Sequence, residues 1–264
     1  MRVLVTGASP GIGGTTALLL ARRAVAQGRR ASIAVCEYRE TPELLALKSD
    51  LERLGAEVAT PVGDLADPAV PARLVGEATG IFGGLDAVVS NAGITGPGLM
   101  ATLDIESWDR LFAVNVRAAW LLAKAAYPAL KASRGGFVAV ASMSGMLPHH
   151  GMGAYSASKA ALIMLVRQLA QEWAADGIRV NSVSPGLAHT PLTQAVYADA
   201  ELAAARSAMV PMQRVAQPVD IAGAIAMLLS SDAGYCTGQN LLVDGAFSES
   251  ILGTIPGRPA SKIG

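Results

Sequence analysis

A β-branched run, Arg2 to Thr6, leads straight into Thr6-Gly7-Ala8-Ser9-Pro10-Gly11-Ile12-Gly13, and Thr15 to Ala26 then reads as a helix. Strand, glycine turn and helix in immediate succession leave a chain few options. The glycines permit a tight turn and let backbone approach a pyrophosphate, while the helix offers free N–H groups and the positive end of its dipole. A glycine triplet alone is common. Behind the first strand of a long α/β chain, it points to nucleotide binding.

The alternation continues along the chain. Ala31 to Cys36 reads as a second strand, Pro42 to Leu54 as a helix with Pro42 in its first turn and Gly55 at its end, and Glu57 to Val62 as a third strand. Asp67-Pro68 starts the next helix, and Gly83-Gly84 precede the strand Ala87 to Val89. Trp108 to Leu130 has helical periodicity, Phe137 to Ala141 is a strand introduced by Gly135-Gly136, and the apolar segment from Gly153 runs as a helix to about Asp176. Ile178 to Val183, the helix Pro218 to Leu229 and the short strand Gln239 to Val243 complete the pattern. Such alternation means a doubly wound parallel sheet. No repeat or break in composition marks a second domain, so residues 1–247 are expected to form one unit. Within it, about 187–215 reads as a substrate lid, mobile over its Ala-, Met- and Leu-rich part from Pro191 to Met212. The polar tail 248–264 is expected to be disordered, or ordered only against another subunit.

Charge argues against large anionic partners. The 21 basic and 21 acidic residues cancel, and no basic cluster with interleaved aromatics suggests nucleic acid. Cys36 and Cys236 lack metal-ligand spacing and read as free thiols in a reducing compartment; no metal site is expected. Met1-Arg2 enters the first strand without room for a signal peptide, and no apolar run reaches the roughly 18 residues of a spanning helix. A soluble, cytoplasmic protein acting on small molecules is the expectation.

Several side chains carry chemistry. Tyr155 and Lys159 lie four apart on a helix and emerge side by side; an adjacent ammonium favours a phenolate and suits a tyrosine to acid–base work. Ser142 and Ser144 follow a strand's carboxyl end, where open α/β sheets bind ligands. Asn115, in mid-helix among Val114 and Val116, needs hydrogen-bond partners and either bridges two helices or serves the site. Glu37-Tyr38-Arg39, after the second strand, falls where such a fold meets an adenosine ribose, and it offers both signs of charge. Ser90-Asn91-Ala92-Gly93 is a second place where backbone can lie against a ligand.

Taken together, the TGASPGIG turn, Asn91-Ala92-Gly93, Asn115, Ser142 thirteen residues before Tyr155, Tyr-x-x-x-Lys, and Pro185-Gly186 with Thr190 resemble the short-chain dehydrogenase/reductase family over residues 2 to about 246. The resemblance implies a single Rossmann-like sheet of seven strands in order 3-2-1-4-5-6-7, with three helices on each face. It implies hydride transfer between a nicotinamide ring and a carbinol or carbonyl carbon. Tyr155 would be the general acid or base, Ser142 would hydrogen-bond the substrate oxygen, and Lys159 would lower the Tyr155 pKa and hold the nicotinamide ribose. Asn115 would position a water linking Lys159 to solvent. Gly7, Ser9, Gly11, Ile12 and Gly13 would cradle the phosphates and ribose; Tyr38 and Arg39 would meet the adenosine ribose, Asp64 and Leu65 the adenine, and Asn91, Ala92 and Gly93 the adjacent ribose. Pro185, Gly186 and Thr190 complete the cofactor set, Thr190 at the carboxamide.

Cofactor choice follows from charge. Tyr38 stands where NAD users of the family carry Asp, and Arg39 looks like the phosphate-binding arginine of NADP users, whereas Pro10 and Glu37 argue the other way. NADP(H) is the expectation, with NAD(H) as alternative. Ser144, Met152, Leu187 and Leu192 are the candidate substrate contacts. With Met143, Met146, Leu147, Val196, Met209 and Met212 they line either an apolar pocket or ordinary core and interface. A pocket of that kind suits an apolar or aromatic ketone or alcohol; a 3-oxoacyl-thioester reductase, a sugar or polyol dehydrogenase and, more distantly, a non-catalytic nucleotide sensor are the alternatives. His149 and His150 are either exposed loop residues or substrate contacts. Family members resembling this chain pair through the Trp108–Leu130 and Gly153–Asp176 helices, so a homodimer or homotetramer is expected.

Overall fold

In β1 (Arg2–Thr6), Val3 and Val5 point into one buried cluster and Leu4 into the opposite one, the two-residue period of a strand covered on both faces. The same alternation recurs in β2 (Ser32–Cys36), β4 (Ala87–Ser90) and β5 (Gly136–Val140). With β3 (Glu57–Ala59), β6 (Arg179–Pro185) and β7 (Asn240–Val243), they make one parallel sheet in the order β3-β2-β1-β4-β5-β6-β7. These relations come from a computed structural model, which describes residues 1–250. Val3 pairs with Ile33 on one side and with Ala87 on the other, so the strand order reverses direction between β1 and β4.

Helices cover both faces. On the Val3 face lie α1 (Ile12–Ala26), α2 (Pro42–Arg53) and α9 (Pro218–Leu229), through Leu20, Leu44, Leu51, Ile221 and Ile225. On the Leu4 face lie α3 (Val70–Phe82), α5 (Ala118–Ser133) and α6 (Tyr155–Trp173), through Leu74, Leu122, Leu130, Leu162 and Val166. That is the expected doubly wound architecture.

Several boundaries differ from the sequence expectation, each for a local reason. β3 ends at Ala59 because Pro61 has no N–H to give a ladder; the chain returns to the sheet only where Val62 bridges Glu37. The helix expected from Asp67-Pro68 begins at Val70, since the Asp67 carboxylate accepts from the Ala69 N–H at 2.9 Å and holds a turn there. The Trp108–Leu130 helix is α4 (Ile105–Phe112), capped by Asp104, then a π-turn at Ala113–Arg117, then α5. β6 runs on to Pro185 because β7 offers partners as far as Val243.

The lid is structured. A 3₁₀ turn at Pro191–Thr193 leads into α7 (Gln194–Tyr197) and α8 (Ala200–Met209), whose first turn is capped by Asp199. The expected tail starts in a turn at Phe247–Glu249, where Asp244 accepts from the Ser248 N–H at 2.8 Å; its remainder, 251–264, lies outside the described residues. On the outer face of α4, α5 and α6, Phe112, Val116, Trp120 and Leu165 line a groove of about 620 Å³ together with the charged Asp109 and Arg117. Among the described residues no helix is long and apolar enough to cross a membrane.

Candidate active site

The crevice begins where β1 and β4 end. Gly7 has φ +62°, and a Cβ there would sit 2.8 Å from the Ala92 Cα. A Cβ on Gly13 would lie 2.2 Å from the Gly7 carbonyl oxygen. Only glycine lets these backbones pass. The carbonyls exposed by the turn are taken by Asn91, whose Nδ2 donates to Thr6 O at 3.1 Å and Gly7 O at 2.7 Å. The Thr6 hydroxyl in turn accepts from the Asn91 and Ala92 N–H groups at 3.1 and 3.2 Å. The first turn of α1 has neither a side-chain cap nor an acidic residue. Its free N–H groups open onto a cavity of about 930 Å³. A bare helix start behind a turn that excludes side chains fits a dinucleotide pyrophosphate.

Glu37, Tyr38, Asp64, Leu65 and Arg110 surround one end of the cavity, where the sequence places the adenosine ribose and adenine. Glu37 is seated on the glycine turn, its Oε1 accepting from the Ser9 N–H at 2.6 Å. Asp64 accepts from the Ala66 N–H at 2.9 Å and pairs with Arg110 at 3.3 Å.

The opposite end holds the hydroxyls and the amine. Ser142 Oγ accepts from the Ser144 N–H at 3.1 Å, and Ser142 and Tyr155 line the same part of the cavity. Lys159, only 4% exposed, donates from Nζ to Val140 O at 3.0 Å, and that nitrogen lies 5.7 Å from the Tyr155 ring centroid. Ser144 is buried, and its Oγ lies 3.3 Å from His149 Nδ1, which brings His149 to the cavity wall. Met152, Leu187 and Leu192 line the same space, as do Val196, Tyr197 and Arg206 of the lid.

Electrostatics here departs from the sequence expectation. Burial alone pushes the Lys159 ammonium down from its ordinary 10.5 to about 8. The Tyr155 hydroxyl is raised by burial, with Ser142 acting more weakly in the opposite sense. The neighbouring Lys159 amine adds no opposing pull. Its nitrogen is directed at the Val140 carbonyl, and desolvation disfavours charge on both groups.

Most expected site residues meet at this cavity: Gly7, Ser9, Gly11, Ile12, Tyr38, Asp64, Leu65, Asn91, Ala92, Gly93, Ser142, Ser144, Met152, Tyr155, Lys159, Pro185, Gly186, Leu187, Thr190 and Leu192 all line it. Gly13 lies beneath the turn, and neither Arg39 nor Asn115 is on the wall. Asn115 accepts from the Ile94 N–H at 2.9 Å and donates to Ile94 O and Ser158 Oγ, both at 3.0 Å. It thus ties the loop after β4 to α6, and its Oδ1 and Lys159 Nζ would each lie 3.2 Å from a Cβ on Gly93. Sequence reasoning passed over Arg110, Tyr197 and the wall position of Arg206, none of which carries a local signal. Among the described residues no cluster of His, Cys, Asp and Glu is set to hold a metal ion.

Comparison with known proteins agrees with this geometry. The family model described as "Enoyl-(Acyl carrier protein) reductase" matches residues 7–248. The chain is 36% identical to the glucose 1-dehydrogenase of Gluconobacter oxydans (strain 621H) over 94% of this chain and 91% of that one. It is likewise 36% identical to the cis-4-hydroxycyclohexanecarboxylate dehydrogenase of Sinomonas cyclohexanicum, over 93% and 95%. Among solved structures, a candidate 2-deoxy-d-gluconate 3-dehydrogenase from Agrobacterium tumefaciens with bound NADP superposes with a TM-score of 0.82 at 31% identity, covering 94% of this chain and 96% of that one.

The buried lysine sets a pH dependence. Between pH 8 and 10.5 the folded state holds fewer protons on Lys159 than the unfolded state, so this residue's contribution to stability rises with pH across that window. Urea denaturation of the ligand-free wild type and Lys159→Met at pH 7 and pH 10 should show wild type gaining about 2–3 kcal/mol on the variant at the higher pH. A gap that stays constant would show that the ammonium is not desolvated.

Proposed function

The chain belongs to the short-chain dehydrogenase/reductase family, and from that premise we propose that it interconverts a secondary alcohol and a ketone on an apolar or alicyclic small molecule. Membership makes it an oxidoreductase of CH–OH groups with NAD or NADP as acceptor. The observation that carries the reading is that Ser142, Tyr155 and a buried Lys159 line one end of a dinucleotide-sized cavity. The cofactor would supply the hydride acceptor or donor. The remaining work falls to side chains. Tyr155 gives its phenol proton to the ketone oxygen in reduction, and in oxidation takes the hydroxyl proton of the alcohol as the phenolate, which it becomes by first releasing its own proton. Ser142, its Oγ already held by the Ser144 N–H, turns its own proton to the substrate oxygen and stabilises charge developing there. Lys159 would hold the nicotinamide ribose through the two N–H donors that Val140 leaves spare. Asn115 positions α6 and the loop of Ile94, and through them Lys159.

Met152, Leu187, Leu192 and Val196 support an apolar ring as substrate. Relatives named for ring-borne CH–OH groups point the same way. The Ser144–His149 pair favours a second reading, a sugar or polyol, because it adds hydrogen-bonding capacity beside the reacting carbon. Three residues between Tyr155 and Lys159 are fewer than an enoyl-thioester reductase is expected to carry.

NADP(H) is supported by Arg39, whose guanidinium suits a 2′-phosphate. A specific contact favours NAD(H) as the second reading: Glu37 stands at the adenosine end, on the Ser9 N–H, where its carboxylate repels a phosphate and accepts from ribose hydroxyls. We also propose a homodimer or homotetramer closed across the groove of Phe112, Val116, Trp120 and Leu165, since Trp120 and Met164 remain 42% and 59% exposed on that face.

Following nicotinamide absorbance with a panel of alicyclic alcohols, aryl ketones and polyols, Tyr155→Phe should lower kcat by about 10²–10⁴-fold while fluorescence titration still detects bound reduced dinucleotide. Undiminished turnover in that variant would remove Tyr155 from the mechanism. Glu37→Gln should raise the NADP⁺ to NAD⁺ ratio of kcat/KM roughly tenfold or more, and an unchanged ratio would mean that the carboxylate does not face the ribose. Light scattering at micromolar concentration should show a dimer or tetramer that Trp120→Glu breaks up; a wild-type monomer contradicts the assembly.

A further inference from the structure

Among the charged side chains that line the cavity, Glu37 is seated on the Ser9 N–H, Asp64 and Arg110 pair with each other and Lys159 meets Val140, which leaves Arg206. Arg206, on α8, lines the cavity, with its Cζ 5.5 Å from the centre of the Tyr197 ring. A cation over an aromatic face is held in place without losing its charge. The other arginine of this region, Arg214, is neutralised by Asp220 at 2.6 and 2.9 Å. Arg206 has no carboxylate and no hydrogen-bond acceptor among the described residues.

Tyr197 carries the second, independent signal. Its hydroxyl oxygen is buried and has no hydrogen-bond partner, one of two such side-chain atoms among the described residues. Buried hydroxyls are almost always paired, and one left unpaired is destabilising. Its ring meets that of His189 edge-on at 5.2 Å between centroids, so the phenol is packed in place. The Tyr197 ring and an uncompensated guanidinium share one wall of a cavity otherwise lined there by Leu187, Leu192 and Val196, while the enclosed hydroxyl does not open onto it.

We propose that Arg206 and Tyr197 form an anion-binding position in the lid, and that its occupant is a carboxylate borne by the substrate. This rests on the oxidoreductase reading and narrows its substrate class to hydroxy or oxo acids. A planar carboxylate matches the guanidinium fork, which the Tyr197 ring holds at the cavity wall. The pyrophosphate is the competing source of negative charge, but the uncapped start of α1 already answers it.

The test needs no turnover. Cyclohexanecarboxylate and its uncharged counterpart cyclohexanecarboxamide are titrated by calorimetry into the enzyme saturated with reduced dinucleotide. Wild type should bind the carboxylate at least about tenfold more tightly, and Arg206→Gln should remove most of that preference. Tyr197→Leu, which removes the ring that holds the guanidinium, should reduce it severalfold. Equal affinities in wild type overturn the proposal. So does an Arg206→Gln variant that keeps the preference and binds the dinucleotide more weakly, which would assign the guanidinium to a cofactor phosphate. Carboxylate selectivity in an enzyme that oxidises no alcohol of the panel would leave the anion position standing and overturn the oxidoreductase reading alone.

Discussion

Two backbones meet at the ends of β1 and β4 with no side chain between them, and the crevice exists because they do. Gly7 and Gly13 are the residues whose missing Cβ atoms allow it. So close an approach strands carbonyl groups, and an unpaired buried carbonyl costs about 1–3 kcal/mol. Asn91 takes both of them, and Thr6 takes two N–H groups from the facing loop. The resemblance to relatives assigns Asn91 to a ribose; its amide nitrogen is already engaged in holding the turn. Because the turn is satisfied from within, the N–H groups at the start of α1 stay free for a ligand.

Burial of Lys159 is the second organising tension. An ammonium has three donors, and here Val140 O accepts one of them. The remaining charge in a dry site is what pulls its pKa down to about 8. A ligand with hydroxyls at that position relieves the shortage, so the site is stabilised by what it binds. Tyr155 is tuned in the opposite sense from the one the helix spacing suggests. Proximity along a helix brings the two residues together, but the sign of a pKa shift depends on where the charge points and on how much water is left. In the free molecule desolvation wins.

Much of this was legible because it is local. The glycine turn, the two-residue alternation of the strands and the four-residue spacing of Tyr155 and Lys159 are all properties of short windows, and each survives in the structure. What escaped is set by distance. Arg110 reaches Asp64 across 46 positions and Glu37 reaches Ser9 across 28, and neither residue type announces its partner. Asn115 was visible as an anomaly in mid-helix, but not the π-turn that accommodates it: widening the helix there aims its side chain at Ile94 and Ser158 at once. Boundaries were misjudged where Pro61 or Asp67 intervened, a matter of single hydrogen bonds.

The lid shows how apolar surface and charge can share one element. None of the residues of α8 is buried, so the helix draws little from the core and rests on its ends. At the stem, Ala216 N–H donates to Leu187 O and His189 N–H to Ala216 O, both at 2.9 Å; beyond α8, Val210 is buried against Gly245. Between those anchors Leu192, Leu202, Met209 and Met212 stay at least half exposed. A segment clamped at its stem and loosely held in its span draws little of its stability from the core. From that span Tyr197 and Arg206 bring an aromatic ring and a charge to the cavity wall, beside the apolar Leu192 and Val196.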